Sequence, residues 1–234
     1  SFDWVGGDGL YGHSYEFGRG RDQRRLLFVL EVHKDQQVYL QQPQIYLPQR
    51  QGSRGRKPSC LKTDEPSIRV DVYTQQLDKE QWQQLVIRKT AKGWLKAWIH
   101  IKQLWVWDGQ EQKARKRTLV IRKSISRNGE KAELKYSLSN GQVDQHSRQE
   151  FAYFQAQRYW VERNFDDAKS ELGMSDYQTR KWISWHHHHA ILFMAMLFML
   201  QERIKKEQEF PLMSLRDARI MVTTLIAEAM LDNE

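Results

Sequence analysis

The densest group of residues able to do chemistry lies in RYWVERNFDDAKSELG, residues 158–173. A helix running from Phe151 to Leu172 would bring Arg158, Glu162 and Lys169 to roughly 0°, 40° and 20° around its axis, one narrow stripe. Val161, Phe165, Ala168 and Leu172 form a neighbouring apolar stripe, which reads as the core face. A carboxylate can hold a hard cation such as Mg²⁺, while Arg and Lys hold phosphate oxygens, one through its fork and the other as a point charge. The same stripe is what an ordinary surface helix with supporting ion pairs carries, so spacing alone leaves both readings open. A further carboxylate, Asp8, directly follows the strand-like run FDWVGG.

These groups need a scaffold, and the sequence outlines one. Phe2 to Gly7 reads as a short buried strand, followed by a loop punctuated by Gly9, Gly12, Gly18 and Gly20. Leu26 to Val32, LLFVLEV, suits a central strand covered on both faces. Residues 41–66 hold Pro43, Pro48, Pro58 and Pro66, four of the five prolines, and read as a linker. Strand-like runs follow at Ser67–Tyr73, Trp98–Trp107, Thr118–Ile125 and Ala132–Leu138, with turn signals at Asp108-Gly109, Asn128-Gly129 and Asn140-Gly141. From Arg148 the period becomes helical. One helix is expected over 151–172 with Gly173 as its stop, a second over Trp182–Lys206, and a third from Ser214 with Asp217 as a capping acid. The resulting division is 1–40 and 148–206 as two parts of one α/β core, 41–147 as a linker with a basic β-rich insertion, and 207–234 as a C-terminal helix.

Composition narrows the function classes. The 234 residues carry a net charge of +8 and are 40% hydrophobic and 28% charged, which excludes wholesale disorder. A single cysteine, Cys60, excludes an intramolecular disulfide framework and a cysteine-rich zinc site. The longest apolar run, Ala190 to Leu200, falls well short of the roughly 20 residues of a spanning helix, so no membrane partner is expected. No signal peptide opens the chain, which fits a reducing, cytoplasmic setting. Residues 86–135 hold 14 Lys/Arg against four acids, so the positive charge is concentrated in the β-rich stretch. Such a surface favours a polyanion partner through counterion release, or is a solvated lysine-rich face. Trp94, Trp98, Trp105 and Trp107 lie among Lys92, Lys96 and Lys102. A strand tryptophan is more often core than stacking platform, and Trp94, in the turn-like KGWLK, is the best placed to stack on a base. The run His186–His189 fans around a helix and cannot converge on one ion, so it reads as helix packing rather than a metal centre. Asp166 and Asp167 read as solvated neighbours of the stripe.

The frame R-x-W-[IV]-E-x-x-F-x-x-x-K around Arg158, Glu162 and Lys169 resembles the DDE-type insertion-sequence transposases, in the branch with a Tyr-Arg-Glu-Lys signature and a β-rich insertion. The continuation ELGMSDYQTRKWISWHHHHA is similar to the run that follows the signature helix in that family, and WVGGDGLYG resembles the strand presenting its second catalytic Asp. The signature Tyr should fall at position 155, where this chain has Gln155 flanked by Tyr153 and Phe154.

The resemblance implies an RNase H-like catalytic core, incomplete at the N-terminus, interrupted by a β-rich insertion and followed by C-terminal helices. It implies metal-dependent phosphodiester cleavage and strand transfer, with Asp8 and Glu162 as catalytic and metal-binding carboxylates and two Mg²⁺ (or Mn²⁺) ions. Arg158 and Lys169 would contact DNA phosphates, and Lys92, Trp94 and Lys96 of the insertion would bind DNA. The partners implied are double-stranded transposon ends and target DNA, in a homodimer or larger complex associated with a prokaryotic nucleoid. The chain opens on Ser1 and enters a strand at once, so the first catalytic Asp is expected upstream, and this chain alone is expected to bind DNA without cutting it. The alternative is a catalytically inactive truncated transposase that acts only as a DNA-binding or inhibitory remnant.

Overall fold

The apolar run at Leu27–Val32 does become a central strand, because Phe28, Val29, Leu30 and Val32 are all buried. The computed structural model describes residues 3–49, 57–90, 93–125, 132–178, 180–206, 208–210 and 213–231. It divides into two compact units, 1–158 and 159–234.

The first unit is built on a mixed six-stranded sheet. In chain order its elements are β1 (Trp4–Gly7), α1 (Gly9–Gly12), α2 (Tyr15–Gln23), β2 (Leu27–Val32), β3 (Gln37–Val38), β4 (Ile68–Arg69), α3 (Val70–Gln75), β5 (Gln83–Thr90), β6 (Gly93–Val106), β7 (Arg115–Ser124), β8 (Leu134–Ser139) and α4 (Arg148–Gln157). The sheet order is β1-β2-β8-β7-β6-β5. Only β1 and β2 run parallel; β2–β8, β8–β7, β7–β6 and β6–β5 are antiparallel. The strands of the basic stretch therefore continue the same sheet as β1 and β2.

Both faces of the sheet are covered. On one, Phe151, Ala152 and Ala156 of α4 pack on Ile87, Ala97, Ile99 and Val120. On the other, Val38, Val70 and Tyr73 pack on Val32, Leu104, Leu119, Ile121, Tyr136 and Leu138. Two cores at one sheet explain why Leu119, Val120 and Ile121 are all buried in succession on β7.

Ser67–Tyr73, expected as a strand, is instead the two-residue β4 leading into α3. Val70, Tyr73 and Thr74 share one helical face and are buried, and the Thr74 hydroxyl donates to the Val70 carbonyl at 2.6 Å. Burial of an i, i+3, i+4 set outweighed the local alternation. Tyr73 also donates to His100 Nε2 at 2.9 Å, while His100 Nδ1–H donates to the Gln81 carbonyl at 3.0 Å. Burial pushes the His100 imidazole below its ordinary pKa, which keeps it in this neutral, doubly bonded tautomer.

The turn signals divide. Asp108-Gly109 is a turn: Asp108 Oδ1 accepts from the Gln110 and Glu111 amides, and Gly109 adopts φ +78°. Asn140-Gly141 closes no hairpin. Asn140 Oδ1 accepts from the Phe28 amide at 2.9 Å and Nδ2 donates to the Leu26 carbonyl at 3.0 Å, so it clamps β2 beside the end of β8. Asn128-Gly129 lies outside the described residues.

An ion-pair network locks α2 to the β6–β7 turn. Asp22 accepts from Arg115 at 3.0 Å and from Arg117 at 2.5 Å, and Glu111 accepts from Arg115 at 2.7 Å and Arg19 at 3.3 Å. The hydrogen bonds from Arg115 hold the Glu111 carboxyl below the usual carboxylate range, and Glu111 in turn raises the Arg115 guanidinium.

The second unit contains α5 (Tyr159–Glu171), α6 (Trp182–Lys205) and α7 (Leu215–Leu231). Its core is Met199, Leu215 and Ala218, with Leu172, Met213 and Val222 packed against it. Arg219 joins α7 to Glu171 of α5 at 3.0 Å. Ser214 and Asp217 form the reciprocal cap expected at the start of α7, with Ser214 N–H to Asp217 Oδ2 at 2.9 Å and Asp217 N–H to Ser214 Oγ at 3.2 Å. Among the described residues no helix is long and apolar enough to cross a membrane.

Candidate functional site

Asp8 stands at the end of β1, where the parallel pairing of Trp4–Gly7 with Leu27–Leu30 finishes. Its side chain caps α1: Oδ1 accepts from the Leu10 amide at 3.1 Å. α1 lies against β2 closely enough that a Cβ on Gly12 would overlap the Glu31 carbonyl. No rotamer change relieves a clash with backbone, so Gly12 is what lets the Asp8 turn sit there. Gly12→Ala is expected to push α1 off β2 at a cost of about 1–3 kcal/mol, lowering the melting temperature by several degrees. An unchanged thermal unfolding curve would contradict that close approach.

Beside Asp8 the first unit opens into a cleft. Its polar lining is Asp8, Glu31, His33, Lys34, Glu133, Lys135 and Arg158, with Leu10, Val32, Leu134 and Tyr136 as apolar walls. Arg158 reaches across from the end of α4 and pairs with Glu31 of β2. Glu133 pairs with Lys135 at 3.5 Å. The cleft thus mixes carboxylates with cations, an inventory suited to handling phosphate and a hard cation together. Among the described residues no group of three or more His, Cys, Asp or Glu is placed to hold an ion.

The helix expected over 151–172 is two helices. The chain turns at Arg158, which ends α4 with φ −54° and ψ −31°, and α5 starts at Tyr159. Arg158 belongs to the first unit, and Glu162 and Lys169 to the second. Glu162 and Lys169 remain on one face of α5, since seven residues bring a helix back to nearly the same angle. Both are exposed. Val161 and Phe165, expected in the core, are 55% and 47% exposed, whereas Ala168 is buried. Asp167, expected in solvent, is buried and paired with Arg163 at 2.7 Å. Of the residues singled out in sequence, the structure brings Asp8 and Arg158 together in one cleft.

Gln155, at the position of the signature Tyr, is buried in the first core. Its Nε2 donates to Ser137 Oγ at 2.9 Å and to the Val120 carbonyl at 3.3 Å, which ties α4 to β7 and β8. It serves as a strut. Glu31, His33 and Glu133 were not singled out by sequence. The available signal was Glu31 itself, a lone carboxylate in an otherwise apolar central strand, which is costly unless paired.

On the basic stretch, Trp94, Lys96 and Trp98 alternate with Leu95, Ala97 and Ile99 on β6, so they occupy the face opposite α4. Trp94 is 58% exposed and Trp98 37%. Across the ladder, Lys89 faces Trp94 and Lys123 faces Trp98, and the Lys123 ammonium sits 5.7 Å from the Trp82 ring centroid. Trp105 and Trp107 are half-buried, and Trp107 Nε1 donates to the Glu111 carbonyl at 2.7 Å. Lys92 lies outside the described residues.

The His186–His189 run is helical packing in α6. His188 Nε2 donates to the Gly173 carbonyl at 3.2 Å and His189 Nδ1 to the Trp185 carbonyl at 2.9 Å, with the Trp185 ring 4.1 Å from His189.

No curated protein matches the chain. Residues 1–93, which contain β1, Asp8, β2 and Glu31, match the family described as DDE superfamily endonuclease. Endonucleases of this family act on DNA and generally use divalent metal ions. A carboxylate at the end of β1, opening on a cleft that also holds a guanidinium, accords with that match, so residues 1–93 are similar to the DDE superfamily endonucleases.

Proposed function

We propose that the chain is part of a transposase that cleaves and transfers DNA strands of an insertion sequence, of the Tyr-Arg-Glu-Lys branch with an RNase H-like core and a linker and β-rich insertion at 41–147. The observation that carries this reading is that Asp8 and Arg158, from distant parts of the sequence, line one cleft. In this reading Asp8 and Glu162 are the carboxylates that would bind Mg²⁺, with two ions expected. Their chemistry fits: both are carboxylates that are not sealed in a core, and Mg²⁺ prefers such oxygens while keeping several of its waters. When bound, the ions supply activation of the attacking water or 3′-hydroxyl and stabilisation of the leaving oxygen. Arg158 orients a phosphate by its fork, and Lys169 adds a point charge. Gln155 is committed to the core, so no role of the signature Tyr is assigned to it.

Lys92, Trp94 and Lys96 belong to the DNA-binding surface, where exposed indoles beside ammonium groups suit bases and phosphates. A salt titration of duplex binding tests this part. Lys96→Ala is expected to weaken binding and to reduce the slope of log K against log salt by about 0.9. Trp94→Ala is expected to cost about 1–3 kcal/mol on DNA with an unpaired base and little on an intact duplex. Affinity independent of salt would sink the assignment. The cleavage itself is tested by Glu162→Gln in a Mg²⁺-dependent assay of the transposase activity, where loss of cutting with retained binding is expected.

A further inference from the structure

Glu31 is the one acid in the run LLFVLEV, and its backbone is fixed in the sheet opposite Ser137 of β8. Its side chain, 20% exposed, faces the cleft and takes the Arg158 guanidinium. The other carboxylates of the cleft are engaged elsewhere: Glu133 with Lys135 at 3.5 Å, and Asp8 Oδ1 with the Leu10 amide at 3.1 Å. His33 and Lys34 complete the titratable and charged lining. The cation best placed to meet a phosphate in the cleft is thus already matched to a rigidly mounted anion.

We propose that Glu31 is a positioning residue that competes with DNA phosphate for Arg158. The proposal rests on the reading of Arg158 as a phosphate ligand. Without DNA, Glu31 holds the guanidinium at the cleft wall in a fixed rotamer, so little ordering remains to be done when a phosphate arrives. When a phosphate enters, the guanidinium exchanges one oxyanion for another, and the Glu31 charge is left in the cleft. Binding therefore carries a penalty set by Glu31, and strands that fail to reach Arg158 do not relieve it. That makes Glu31 a determinant of how tightly the cleft holds DNA, separate from the chemistry of cutting.

Glu31→Gln keeps the shape and an acceptor for Arg158 while removing the competing charge. In a fluorescence titration of the whole chain against a mixed-sequence DNA duplex, Glu31→Gln is expected to raise affinity by roughly three- to tenfold and to steepen the salt slope by up to about 0.9, one further phosphate contact. In an Arg158→Ala background the same change is expected to move affinity by less than about twofold, because a charge acting only at long range is screened. A protein in which Glu31 merely braces the fold would show a lower melting temperature and no gain in affinity.

Unchanged or weaker binding by a Glu31→Gln protein that melts like the wild type overturns the proposal, as does an equal gain with and without Arg158. If Arg158→Ala alone weakens binding while Glu31→Gln is flat, the phosphate role of Arg158 stands and only the Glu31 proposal falls. If Arg158→Ala leaves binding unchanged, both fall. Glu31→Asp provides a second variant should the glutamine protein fold poorly. The shorter side chain loosens the pair and is expected to give a smaller gain in the same direction, and no gain overturns the proposal.

Discussion

In the intact transposase, Asp8→Asn is expected to reduce Mg²⁺-dependent DNA cleavage roughly a thousandfold or more while leaving duplex binding and thermal stability near those of the parent. The size follows from what a metal ligand contributes: several kcal/mol of charge stabilisation, at about 1.36 kcal/mol per decade of rate, is about three decades. The sparing of stability follows from the local structure. Asp8 is the N-cap of α1, with Oδ1 on the Leu10 amide, and asparagine caps as well as aspartate does. Asp8→Ala removes both functions and is expected to add about 1 kcal/mol of destabilisation, so the pair of variants separates chemistry from capping. Cleavage by Asp8→Asn at the parent rate would refute the catalytic assignment.

Phe151→Ala is expected to be the most destabilising of the single changes considered, by about 3–5 kcal/mol, which lowers the melting temperature by roughly 10 °C or more. Phe151 is fully buried between α4 and the sheet, among Ile87, Ala97, Ile99 and Val120, with its ring edge-on to His146 at 5.7 Å. Removing it leaves a cavity under the helix whose end carries Arg158, so weaker DNA binding is expected to accompany the loss of stability. Phe165→Ala, an equal truncation at a site 47% exposed, is expected to stay within about 1 kcal/mol. Calorimetry of the two variants decides between them, and equal destabilisation would contradict the burial pattern.

The contrast between these two phenylalanines shows where sequence periodicity reached its limit. Both fall within the span 151–172 expected as one continuous helix, and the apolar stripe of that helix made Phe165 a core residue. The structure instead ends α4 at Gln157 and begins α5 at Tyr159, and Phe165 on α5 is exposed. Helical periodicity carries no information about where a helix stops unless a glycine, proline or cap marks the place, and QRYW carries none of these. Similarly, SIRVDVY alternates like a strand, yet Val70 and Tyr73 are drawn onto the sheet as one face of a helix. A six- or seven-residue pattern is too short to decide against tertiary burial.

By itself the sequence determined the residue types and their local settings. It placed an acid after an apolar strand, a central strand within 26–32, Trp94 and Lys96 in a basic stretch, and the Ser214–Asp217 cap. These depend on contacts within a few residues, or on charge that stays in solvent whatever the fold. The tertiary structure alone decided the partners. It joined β8 to β2, set Asn140 on the Phe28 amide across 112 residues, turned Gln155 into a strut, and brought Arg158 to Glu31 beside Asp8. An ion pair between residues 31 and 158 leaves no local trace in either segment. It arises because a carboxylate in a buried strand must be matched, and packing of α4 on the sheet delivers the Arg158 guanidinium that matches it.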